Sequence, residues 1–235
     1  VVIWDFILER WSVQTQPEPE IVWAITAAVV LLTAVPSVWR ILRQASTIVH
    51  EMGHVFAALL SGRRVSGIKL HTDTSGVTVS RGKPKGPGML FTALAGYPAP
   101  GLLGLGMAVL LTTGHAGAAL TLYQVVMLLA LILSRNAVGI FSCLVSLLAT
   151  GAVWWINHPE AVVWTVTALA VFYALAGVRG TFDLIRVHIR DKHQARSSDA
   201  GQAARAWGRT PVFLWLLFFL LAGFGAAAGT VWLLI

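Results

Sequence analysis

Apolar residues in this chain come in long blocks separated by short polar joints. Seven blocks approach the roughly 20 apolar residues that a helix needs to cross a bilayer: Ile21–Trp39, Ile41–Leu60, Gly88–Thr112, Ala118–Ser134, Ala137–Ile156, Ala161–Val178 and Pro211–Ile235. Only Arg135-Asn136 parts the fourth from the fifth. A single helix through both would run roughly 58 Å, too long for a bilayer, so a turn is expected there. The pattern changes character twice. Across Arg63–Pro87, apolar and polar residues alternate on either side of the turn cluster Asp73-Thr74-Ser75-Gly76, which predicts a β-hairpin. Arg179–Thr210 is polar, basic and rich in Ala, Ser and Gln, which predicts an interfacial helix or a mobile linker. The expected architecture is an all-α polytopic membrane protein. It has about seven transmembrane helices and a small cytoplasmic-side β-hairpin, within one domain over 1–235. Residues 21–60 form the first two spans, 63–87 the hairpin loop, 88–178 four spans, 179–210 a basic cytoplasmic segment and 211–235 the last span.

Composition agrees with lipid as the solvent. Hydrophobic residues make up 57% and charged residues 11%, with a mean hydropathy of +0.75, more apolar surface than a soluble domain of this size can hide. The net charge of +7 could suit nucleic acid. In so apolar a chain it is better read as basic loops facing anionic headgroups, so the bilayer is the expected partner and nucleic acid is not. Val1–Glu20 carries five charged residues and no small-residue cleavage site, and does not read as a signal peptide. The lone Cys143 forms no intrachain disulfide. With seven spans, Arg10 shares one side with loops 63–87, 135 and 179–210, while Arg40 and Arg43 lie opposite. The positive-inside rule then places the N-terminus and the basic loops in the cytoplasm, with the cell membrane as the expected location. Most of the ten tryptophans fall near span ends, as interface anchors do.

One span contains chemistry. His50-Glu51-Met52-Gly53-His54 is an H-E-x-x-H, whose two histidines lie four apart on one helical face and can share a Zn²⁺. Glu51 then sits where it can take a proton from a water that the metal activates and pass it to a leaving amine. Seven His among 235 residues make about 0.004 chance matches to this motif. Two structural histidines are the plain alternative, but three ionisable groups inside an apolar span are costly without a partner.

These residues, together with several shorter stretches, resemble the site-2 protease superfamily of intramembrane zinc metalloproteases, and more closely its M50B-like branch. The further carriers are Ser61-Gly62-Arg63-Arg64-Val65, Thr74-Ser75-Gly76-Val77-Thr78, Leu94-Ala95-Gly96-Tyr97-Pro98, Arg135-Asn136-Ala137-Val138-Gly139 and Ser198-Asp199-Ala200, in that order over most of residues 45–210. The resemblance implies a zinc site sunk in the membrane near the cytoplasmic face, with the hairpin beside it.

Catalytic zinc usually takes three protein ligands and leaves a position for water. Site-2 proteases typically supply an Asp from an Asp-Gly pair, and this chain has none. Two carboxylates remain. Asp199 matches the S-D-A pattern that the resemblance implies, although it also suits an N-cap for Ala200–Trp207. Asp183 is nearer the apolar blocks, although Arg179 and Arg186 flank it at ion-pair spacing. Asn136 is expected to stabilise an oxyanion or hold substrate backbone, as an Asn does in the wider family, or else to form the turn beside Arg135. Gly96-Tyr97-Pro98 and Pro100-Gly101 suit a kink or close helix packing. His71, His115, His158, His188 and His193 read as solvated.

The leading expectation is an intramembrane zinc metalloprotease, with Glu51 as general base, acting on a membrane-embedded protein substrate that unwinds locally and pairs with the hairpin. The alternatives are a catalytically inactive, protease-like scaffold or binding protein, and a metal transporter. The transporter fits less well, because the polar groups cluster in one motif instead of lining a path.

Overall fold

The computed structural model describes residues 2–12 and 15–235, and leaves the side chains of residues 2 and 3 undescribed. Eleven helices and one hairpin follow in order among them. Helix α1 (Val2–Arg10) precedes α2 (Pro19–Ala34) and α3 (Pro36–Leu60). The antiparallel pair β1 (Arg64–Leu70) and β2 (Gly76–Arg81) comes next, then α4 (Pro87–Leu94) and α5 (Pro98–Thr112). The remainder is α6 (Ala116–Leu133), α7 (Ala137–Ile156), α8 (Pro159–Arg190), α9 (Lys192–Ser197), α10 (Asp199–Ala206) and α11 (Val212–Leu234).

The expected seven full spans become four to six. Helices α6, α7, α8 and α11 are each long and apolar enough to cross a membrane, which makes this an integral membrane protein. The count reaches six if each of two bent pairs is one span. Both bends occur where proline removes a backbone donor and opens a new helix. Pro36 sets α3 at 105° to α2, and Pro98 sets α5 at 65° to α4. The apolar run 21–60 therefore breaks at Val35, before Pro36, and not at Arg40 as the block pattern suggested.

Segment 179–210 takes the helical one of its two expected forms. Helix α8 continues twelve residues beyond Val178, and α9 and α10 then fold back, so the segment is ordered helix and not a linker. The core is built around α5 and α8, which approach closely because they meet at glycines. A Cβ on Gly104 would lie 2.7 Å from the Ala170 carbonyl, and one on Gly177 only 3.0 Å from the Gly101 nitrogen. In a bilayer, such backbone approach replaces the hydrophobic drive that lipid cannot supply.

Helix α7 shows the two ends of the molecule. Its N-terminal end meets the hairpin: Arg135 N–H donates to Ile68 O at 2.9 Å. Its C-terminal end meets α1, where the Arg10 guanidinium donates to Trp155 O at 3.1 Å and lies over the Phe6 ring. Twenty residues of α7, about 30 Å of helix, separate the two contacts. Arg10 and the hairpin thus sit at opposite ends, contrary to the expectation from seven spans. Counting α2 and α3 as one bent span, where two crossings were expected, gives the same arrangement.

Candidate metal centre

Helix α3 carries the motif on the face turned toward the hairpin and α4. His50 Nε2 and His54 Nε2 are 3.1 Å apart, and Asp199 Oδ2 lies 3.2 Å from each. The three residues form a cluster suited to a metal ion. The donor set fits zinc on two observations. Ligand atoms at the 2.0–2.1 Å typical of zinc stand roughly 3.3 Å apart in a tetrahedron, close to these separations. Asp199 Oδ2 is also buried without a hydrogen-bond donor, although it points between two imidazoles. An orphaned carboxylate oxygen in such a place calls for a cation.

The surroundings orient each ligand. His54 Nδ1 lies 2.7 Å from Thr92 O on α4, so it carries the proton and leaves Nε2 free to coordinate. The His50 ring packs edge-on against Tyr97, with centroids 4.7 Å apart. Gly96, at the α4–α5 bend, leaves the space the rings occupy: a Cβ there would lie 2.5 Å from His54 Nε2 and 2.7 Å from His50 Cε1. Gly53 lets α3 approach the same bend, since its Cβ would lie 2.5 Å from Ala95 O.

Asp199 is the first residue of α10 and not its cap. Ser198 takes that role, accepting from Gly201 N–H at 3.2 Å. Ala200, Ala203 and Ala204 are buried on the inner face of α10. Gly86 N–H donates to Ala206 O at 3.0 Å, tying the end of α10 to the start of α4.

Glu51 lines the same cavity, of about 390 Å³, and is 3% exposed. Thr78 of β2 donates to Glu51 Oε2 at 2.5 Å, while Oε1 has no donor among the described residues. A Cβ on Gly76 would meet Glu51 Oε1 at 2.6 Å, so the hairpin has room for the carboxylate only because this residue is glycine.

Two residues singled out in the sequence lie elsewhere. Asp183 pairs with Arg186 at 3.1 Å and is not part of the cluster. Asn136 exchanges hydrogen bonds with the Leu70 backbone, at 3.2 and 2.5 Å, and also caps α7 at Gly139 N–H. Those bonds use its Oδ1 twice and one of its two Nδ2–H donors, and it does not line the cavity. Thr78, Thr92, Tyr97 and His188 carry no sequence signal of their roles. Three of them support groups in or beside the cavity by contact alone, which no local motif announces. His188 was expected to be solvated but lies 3.3 Å from Ser198 Oγ, bracing the α9–α10 joint.

Fold and site together define a polytopic membrane protein with a His-His-Asp cluster of the kind that an H-E-x-x-H metallopeptidase builds. Residues 22–230 match the model of the Peptidase M50B-like family, and the chain belongs to that family. No curated protein and no solved structure matches it.

Proposed function

We propose that this protein is an intramembrane zinc metalloprotease that hydrolyses peptide bonds of membrane-embedded protein substrates. The observation that carries this reading is Glu51, buried beside the His50–His54–Asp199 cluster with Oε1 free. His50, His54 and Asp199 would hold the metal. Zn²⁺ bound there would supply a Lewis acid, polarising a carbonyl and lowering a water's pKa toward about 7.

The chain's own residues do the rest. Thr78 holds Glu51 by Oε2, so Oε1 is the atom that takes the proton from water and returns it to the leaving amine. The hairpin supplies the place where an unwound segment binds. The outer edge of β1 is covered by the α6–α7 turn through Ile68 and Arg135. Residues 76–78 of β2 line the cavity, so β2 is the edge to which a substrate strand adds, satisfying backbone groups that lipid cannot. In this reading Asn136 supports β1 and does not touch substrate.

Orientation follows from charge. Arg10 is the one Lys or Arg at the α1 end of α7, whereas loops 63–87, 135 and 191–210 lie toward the other end. We therefore assign the hairpin end to the cytoplasm of the cell membrane and α1 to the opposite face.

The test is cleavage of a transmembrane peptide by the zinc-loaded protein in lipid. Glu51→Gln retains zinc and fold but cannot accept the proton, so its rate should fall by orders of magnitude. A variant that cuts at near the wild-type rate would show that Glu51 is not the base.

A further inference from the structure

A second cavity adjoins that of the metal centre, and its lining is largely basic. It measures about 510 Å³, lies between the start of α3, the hairpin tip and α8, and holds Arg40, Arg43 and Arg179. Trp39, Arg43 and Thr74 line both cavities, so the two adjoin. Their floor is one face of α3, where Arg40, Arg43, Thr47, His50 and His54 follow at steps of three and four. Thr47 Oγ1 donates to Thr74 O at 2.9 Å, which locks this face to the hairpin tip.

Against these three cations the rim sets one carboxylate, Asp73. Among the described residues no carboxylate pairs with any of the three. The one acid on the rim, Asp73, is engaged by Ser75, whose Oγ and N–H donate at 2.6 and 2.9 Å and hold its carboxyl below the ordinary carboxylate range. Arg179 is fixed by the Thr33 carbonyl and by Trp39, 4.1 Å beneath its guanidinium. Arg40 is exposed and Arg43 half-buried, and three guanidiniums around one carboxylate favour an incoming anion.

Resting on the protease reading above, the geometry points to substrate selection by charge: Arg40, Arg43 and Arg179 form a subsite for an acidic residue three to five positions from the cleaved bond. The distance comes from two independent scales. Arg43 and Arg40 precede Glu51 by eight and eleven residues, or about 12 and 16 Å of helix. An extended chain covers that in roughly 3.5 to 5 residues at about 3.3 Å each. A strand added to β2 opposite Thr78 leads past Gly76 and Thr74 into the same arginines. Charged neighbours make carboxylate the favoured group, and the walls shared with the metal-centre cavity make it the substrate's.

The test uses zinc-loaded full-length protein in lipid, with transmembrane peptides in which one Asp is moved residue by residue along both sides of the scissile bond. Asn at the same position is the control. kcat/KM for Asp over Asn should peak three to five residues out on one side, at about tenfold, the value of one charge-assisted hydrogen bond. Added salt should shrink that ratio. Arg40→Gln/Arg43→Gln, checked for zinc content, should bring it near one, and Arg43→Glu should favour Lys over Asp. Equal cleavage of Asp and Asn peptides at every position overturns the subsite, as does a ratio that survives the double variant. A rate that follows anionic lipid and ignores the Asp would assign the arginines to headgroups, and also overturns it. Failure of the wild type to cut any peptide is a different result: it removes the protease reading itself, and this inference with it.

Discussion

Glycines set the metal centre as much as its ligands do. His50, Glu51 and His54 were legible because ionisable residues at that spacing in an apolar run are costly unless they bind something. Gly96 and Gly76 were not, since their role is to leave a space, and only the fold shows what fills it. Gly96→Ala should push a methyl into both imidazoles, 2.5 Å from His54 Nε2. We expect severe loss of zinc and activity. Gly106→Ala, in the same α4–α5 unit with nothing within 4 Å of the new methyl, is the control. It should keep its metal and gain up to about 1 kcal/mol of helix stability. Equal zinc content in the two variants would contradict the cradle. Asn136 illustrates the converse, because a polar residue between two apolar runs has several uses. Of its two expected roles, the bonds to Leu70 and Gly139 suit the turn between the two runs.

At the scale of elements, the hairpin was legible because alternation has period two, and its observed strands match the expected ones within a few residues. Helix α7 was read to the residue, since Asn136 caps its start and Asn157, in the left-handed region, ends it. The bend at Pro98 was legible from Gly96-Tyr97-Pro98, whereas the one at Pro36 was not. Both broken units keep enough apolar residues to resemble complete spans, and hydropathy does not register a 105° turn. The reach of α8 was missed for the opposite reason: its last twelve residues are polar helix, which the span count set aside. That extension, followed by the fold-back of α9 and α10, is what carries Asp199 to His54 from 145 residues further along the chain. Choosing Asp199 over Asp183 therefore depended on the resemblance, as nothing local distinguishes a distant ligand from an ion-paired surface acid.

For the whole molecule, orientation turns on how many times the chain crosses before α7, so the bent pairs decide it. Cysteines at Lys83 and Lys192, both exposed, should be labelled from the cytoplasm, and one at exposed Glu9 only from the opposite side. Labelling of all three from one face would restore seven crossings. The larger claim is that a helix far along the sequence completes a metal centre begun on α3. Zinc content of purified Asp199→Ala and Asp183→Ala tests it most directly. Loss of one of three ligands should leave Asp199→Ala folded but nearly metal-free, whereas loss of the Asp183–Arg186 pair, with Arg186 largely exposed, should cost at most about 1 kcal/mol and no zinc. A metal-replete Asp199→Ala beside a metal-free Asp183→Ala would contradict the account.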